Sequence, residues 1–156
     1  MSSKQIDEAI QMKNADEMAI EGLVQTFVDG WNAGDGAACA RPFAVDADFT
    51  AITGLKAKGR DVIAKGHDEI LSTLYRGSQN SAKVESIRFL RPDVAVADVT
   101  FRFVGDVRPF GLEQTSCGMV CTKEDGSWSI AVFRNMIPYA RSIAGPMERE
   151  LMSARR

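Results

Sequence analysis

From Ile20 onward, apolar residues fall at Ile20, Leu23, Val24, Phe27, Val28 and Trp31, the three-and-four spacing that lines one face of an α-helix. The stretch Asn32-Ala33-Gly34 closes that helix. Asp35 is placed to cap a second, short helix over residues 36–41, and Pro42 ends it because proline cannot donate a hydrogen bond to the preceding turn. Residues 47–53 and 55–58 flank Gly54 in the manner of a small hairpin. Gly59-Arg60-Asp61 then opens a third helix whose apolar face carries Ile63, His67, Ile70, Leu71 and Leu74, with Gly77 as its stop.

Beyond this point the period changes. Residues 83–91 and 94–104 are rich in β-branched and aromatic side chains and are separated by the turn pair Pro92-Asp93. Residues 113–123 and 127–137 repeat the pattern around Glu124-Asp125-Gly126. Two long hairpins are therefore expected, followed by a tail in which Pro146 is placed to start a final short helix. Helices followed by a meander predict an α+β fold: one strongly bent, mixed or antiparallel sheet wrapped by three helices, with a pocket between the first and third helices and the concave face. No repeat or linker interrupts the chain, which reads as one domain over residues 1–156 with its core in about residues 15–138.

Composition narrows what such a domain can do. With 156 residues, 45% of them hydrophobic, the chain can bury one real core. Nineteen Lys and Arg against 21 Asp and Glu leave a net charge of −2, which offers no basic field for nucleic acid or an anionic membrane. The cysteines Cys39, Cys117 and Cys121 are odd in number and widely spaced, which suits a reducing compartment better than a disulfide framework. The first residues lack the apolar stretch of a signal peptide and no segment reaches the length of a membrane span, so a cytoplasmic protein is expected. A single histidine and the absence of a Cys-x-x-Cys pair argue against a metal site. Phosphate-binding glycine loops and the Gly-x-Ser-x-Gly elbow are also missing.

Several stretches together carry a resemblance. Phe27-Val28-Asp29-Gly30-Trp31-Asn32-Ala33-Gly34-Asp35, Phe43-Ala44-Val45-Asp46-Ala47-Asp48-Phe49, the helix start Gly59-Arg60-Asp61-Val62-Ile63, and Gly126-Ser127-Trp128-Ser129-Ile130 before Asn135 look like the nuclear transport factor 2-like superfamily. His67 followed by Tyr75-Arg76-Gly77-Ser78 and Ile87-Arg88-Phe89-Leu90 resembles its polyketide cyclase-like branch, which includes small proteins of enediyne antibiotic clusters. The resemblance spans about residues 15 to 138. It implies a cone-shaped sheet with one deep pocket and frequent dimers through the sheet. Superfamily members range from ketosteroid isomerase, dehydratases, cyclases and epoxide hydrolases to non-catalytic binding modules, so the fold leaves the function open. Some members of the branch have been labelled oxidoreductases, but no flavin or nicotinamide fingerprint is present, and no cofactor is expected.

His67 is the sharpest catalytic candidate, because imidazole is the side chain that exchanges a proton near neutrality. The competing reading is a buried histidine satisfied by one hydrogen bond. On residues 94–104, Val94, Val96, Asp98, Thr100 and Arg102 share one face, and Ala95, Ala97, Val99, Phe101 and Phe103 share the other. Were the first face to line the cavity, Asp98 could orient or accept a proton, and Thr100 and Arg102 could hold a ligand; otherwise the charges form an ion pair on an outer or dimer face. Arg134 and Asn135 are adjacent, so only one faces the pocket unless a bulge intervenes. Alternation favours Arg134, which shares the face of Trp128, Ile130 and Val132, whereas the resemblance favours Asn135. Trp31, Phe43, Phe49 and Met119 are candidate apolar walls, with ordinary core as the alternative. Cys117 and Cys121 have nothing nearby to lower a thiol pKa. Asp46 and Asp48 are spaced to point the same way on a strand, as paired carboxylates would, but read better as a solvated strand entrance, and Lys56, Lys58 and Arg60 read as surface charge.

Three functions fit, in this order: a cofactor-independent isomerase, cyclase, dehydratase or hydrolase acting on a small apolar or amphipathic molecule by proton transfer; a non-catalytic dimeric ligand- or protein-binding module; and a purely structural dimer with an empty, packed cone. A homodimer is expected through the convex face, covering Phe101 and Phe103 or their alternating neighbours.

Overall fold

A computed structural model describes residues 1–105 and 113–138. Its elements are α1 (Ser3–Asn32), α2 (Gly36–Ala40), β1 (Phe43–Thr50), β2 (Lys56–Lys58), α3 (Arg60–Ser72), β3 (Gln79–Arg91), β4 (Val94–Val104), β5 (Gln114–Glu124) and β6 (Ser127–Met136). The expected helix after Pro146 lies outside the described residues.

α1 starts at Ser3 rather than near Ile20, because Ser2 and Gln5 form a reciprocal capping box that satisfies the first free amides. Residues 3–15 of this helix are exposed, so no apolar period announces them. Farther along, Ile20, Val24, Phe27, Val28 and Trp31 bury the stripe read from the sequence. β1 reaches back to Phe43, and β3 to Gln79, beyond the segments their composition marks. α3 ends at Ser72, so Leu74 leaves the helix.

The sheet order is β2-β1-β6-β5-β4-β3. β1 runs parallel to β6, and the other neighbours are antiparallel. This mixed six-stranded sheet with its three helices is the α+β architecture expected, and its inner face is covered by α1. There Ala95 and Ala97 occupy one end of β4, while Phe101 and Phe103 occupy the other. At the alanine end, Asp16 Oδ1 accepts hydrogen bonds from Trp128 Nε1 at 2.8 Å and Lys123 Nζ at 2.9 Å, fastening α1 to the β5–β6 hairpin.

At the phenylalanine end, the Asn32 side chain copies a strand neighbour. Its Nδ2 donates to the Asn80 carbonyl at 3.0 Å, and its Oδ1 accepts from the Asn80 amide at 2.7 Å. Helix and edge strand are thereby locked in register. α2 crosses so close to α1 that a Cβ on Gly30 would collide with the Cys39 backbone. Asp68 Oδ1 accepts from the Gly36 amide at 2.7 Å, tying α2 to α3 and setting the distance of α3 from the sheet.

Candidate functional site

β6 decides which polar residue meets the cavity, and it does so through an irregularity. Cys121 pairs with Ile130, but the next residue of β5, Val120, pairs with Val132. Ala131 is therefore an extra residue, a β-bulge that turns the remainder of the strand over. Trp128 and Ile130 are buried before it, and Phe133 after it. Asn135 consequently shares the inner face with Phe133, and Arg134 is exposed, its Nη1 donating to the Asp48 carbonyl at 3.3 Å.

The cavity, of about 250 Å³, lies between α1, α3 and the sheet. Trp31 and Phe27 come from α1, Phe49 from β1, His67 and Ile63 from α3, and Phe101, Thr115, Phe133 and Asn135 from β4, β5 and β6. Aromatic side chains form most of the deep wall, with Phe49 stacked on Phe133 at 4.8 Å between centroids and 12° between planes. Leu55, Val62 and Leu74 reach the cavity from more exposed positions, forming an apolar rim.

His67 is 4% exposed. Its ring stands edge-on to Phe27 and Phe49, at 5.4 and 5.3 Å between centroids. Nδ1 lies 2.8 Å from the Ile63 carbonyl oxygen, which can only accept, so Nδ1 carries the proton and Nε2 keeps its lone pair. Burial pushes the imidazole pKa below its ordinary value of 6.5, opposed by the Ile63 carbonyl and by Asp68. A neutral ring with a free basic nitrogen is the result. No Asp, Glu, Lys or Arg lines the cavity among the described residues.

Of the residues singled out in the sequence, Trp31, Phe49, His67 and Asn135 line this space. Asp98, Thr100 and Arg102 do not. They occupy the outer face of β4, because the larger apolar set Val99, Phe101 and Phe103 takes the inner one. Asp98 there accepts a hydrogen bond from Ser86 Oγ at 3.0 Å. Phe43 and Met119 are core instead of cavity wall, both essentially inaccessible. Cys39, Cys117 and Cys121 are free and buried, and burial pushes the thiols of Cys39 and Cys121 up to about 12. Nucleophilic use is not favoured. Asp48 pairs with Lys58 at 3.0 Å. Arg60 is half-buried rather than a surface charge, its Nε donating to the Phe43 carbonyl at 2.8 Å.

Thr115 and Tyr75 also line the cavity and were missed by the sequence reading. Thr115 shares its strand face with Cys117 and Met119, so alternation along β5 could have found it. Tyr75 lies in the turn after α3, where no period applies. No group of three or more His, Cys, Asp or Glu able to hold a metal occurs among the described residues, and none of their helices is long and apolar enough to cross a membrane.

No family model matches the chain, and no curated protein matches it in sequence. Solved structures do. A domain of unknown function with a cystatin-like fold from Nostoc punctiforme is 27% identical over 90% of this chain and 94% of its own, with a TM-score of 0.75. A hexachlorocyclohexane dehydrochlorinase, LinA-type3 from Novosphingobium barchaimii, is 14% identical over 83% and 90%, with a TM-score of 0.73. A scytalone dehydratase-like protein from Novosphingobium aromaticivorans is 17% identical over 85% and 93%, with a TM-score of 0.63. The chain has the α+β cystatin-like fold, an architecture that accommodates small-molecule enzymes.

Proposed function

We propose that the cavity binds a small, largely apolar molecule and that His67 moves a proton on it without a cofactor. The observation that carries this reading is the hydrogen bond from Nδ1 to the Ile63 carbonyl, which fixes the tautomer and leaves Nε2 as a base on an uncharged wall. Dehydrochlorination and dehydration, the reactions in two neighbours' names, are both eliminations. In each, a base takes a proton from carbon while chloride or hydroxide leaves the adjacent carbon. Isomerisation or cyclisation would use the same first step. Placement in the polyketide cyclase-like branch belongs to this proposal and rests on His67 followed by Tyr75-Arg76-Gly77-Ser78 and then Ile87-Arg88-Phe89-Leu90. So does a cytoplasmic setting, supported by the three free thiols.

A second reading, a non-catalytic binding module, is favoured by one feature. The partner of Nδ1 is a backbone carbonyl and not a carboxylate, so an imidazolium formed during reaction gains little stabilisation. The two readings separate in a turnover screen with cyclic alcohols and chlorides bearing an acidic C–H beside the leaving group. Loss of product formation in a folded His67→Gln protein that still binds supports catalysis. Binding without turnover by the unmodified protein across the panel favours the module.

A further inference from the structure

Resting on the small-molecule reading, we infer that the ligand is uncharged and presents a hydroxyl group to Asn135 and Thr115. Thr115 is fully buried and lines the cavity, yet its Oγ1 has no partner. Asn135 Oδ1 is likewise buried and unpartnered. Thr115 stands opposite Phe101, and Cys117, two residues on, stands opposite Asn135. The two polar side chains are thus diagonal neighbours on the inner face, close enough for one ligand group to meet both. Two further polar groups around the cavity are already used: Trp31 Nε1 donates to Ser78 Oγ at 3.1 Å, and Thr53 Oγ1 accepts from the Leu55 amide at 3.4 Å.

Chemistry selects the group. An amide oxygen only accepts, so the ligand must donate to it, whereas the threonine hydroxyl can do either. A hydroxyl donates to Asn135 and accepts from Thr115, satisfying both at once. An ether or a carbonyl leaves the Asn135 oxygen orphaned, which a buried site penalises. A carboxylate, phosphate or ammonium would lose its hydration against walls that carry no counter-charge. With the aromatic deep wall, these conditions describe a neutral, hydroxylated ring compound.

Equilibrium dialysis with naphthol, methoxynaphthalene, naphthalene and naphthoate tests the assignment on the intact protein. Naphthol should bind about tenfold or more tighter than methoxynaphthalene, and naphthoate should bind weakest. Thr115→Val and Asn135→Leu should abolish the preference for naphthol over methoxynaphthalene. Equal binding of naphthol and methoxynaphthalene, or preference for naphthoate, overturns the assignment and leaves the small-molecule reading standing. Failure of all four to bind overturns both. The series on the unmodified protein carries the comparison even where a variant fails to fold.

Discussion

Asn135 lies opposite Cys117 on the inner face of the sheet only because Ala131 interposes one unpaired residue earlier in β6. Without it, strict alternation would aim Arg134 at the cavity beside Phe49 and Phe101. The polar character of the site therefore depends on a strand defect that touches no ligand-facing atom.

Deleting Ala131 tests that dependence. The shortened strand must either lose its pairing or bury Arg134 without a partner, and an uncompensated buried charge costs about 3–5 kcal/mol. Chemical denaturation should show a loss of that order, and combining the deletion with Arg134→Leu should recover part of it. A deletion variant as stable as the parent would mean that β6 is not turned over by the bulge.

Much of the fold was legible because it rests on local periods. The stripe from Ile20 to Trp31, the face of α3 that carries His67, and the turns at Pro92-Asp93 and Asp125-Gly126 each announce themselves within a few residues. The site was legible only in part. Strand alternation gave the two faces of β4 correctly but not which one is concave. The larger aromatic set decided that, and it carried Asp98, Thr100 and Arg102 outward. The Ala131 bulge has no composition signal, since alanine suits either a regular strand or a bulge. The exposed half of α1 is invisible to any burial pattern for the simple reason that nothing packs on it.

Asp16 holds the other end of α1. Its carboxylate lies below the ordinary range; burial opposes this, but the hydrogen bonds from Trp128 and Lys123 outweigh it. In Asp16→Ala, the buried Trp128 N–H loses its acceptor, a loss of about 1–3 kcal/mol. Asp16→Asn keeps an acceptor oxygen and should lose less. Thermal unfolding of the two variants measures the difference, and equal effects would show that charge rather than the Trp128 bond matters.

Self-association is expected through the outer face. Val96, Val120 and Val132 form a cross-strand row there, half-buried already in one chain, with Gly118 leaving a bare step between Asp98 and Arg134 in the next row. Around a two-fold axis near Gly118, the carboxylate of one copy would meet the guanidinium of the other. Phe101 and Phe103 lie inside, so the residues covered should be their alternating neighbours. Light scattering at micromolar concentration should give a dimer mass, and Val120→Arg a monomer. A monomeric parent protein would defeat this expectation.

The last prediction concerns His67 and acid. Burial lowers its pKa in the folded protein below the ordinary 6.5, so on acidification the unfolded chain takes up a proton that the folded chain resists. Stability linked to this group is complete above the unfolded pKa. It declines as pH falls below about 6.5, and the decline stops once pH drops below the depressed folded value. The limiting slope for one proton is about 1.4 kcal/mol per pH unit. Urea unfolding between pH 7.5 and 5 should therefore show a steeper loss in the parent than in His67→Gln, whose side chain does not titrate; these pH limits bracket the unfolded histidine pKa, about 6.5. Carboxylates such as Asp16 lie in the same background in both proteins and cancel in the comparison. Coincident pH profiles would show that the His67 ring exchanges its proton as freely as in water, which its burial against Phe27 and Phe49 argues against.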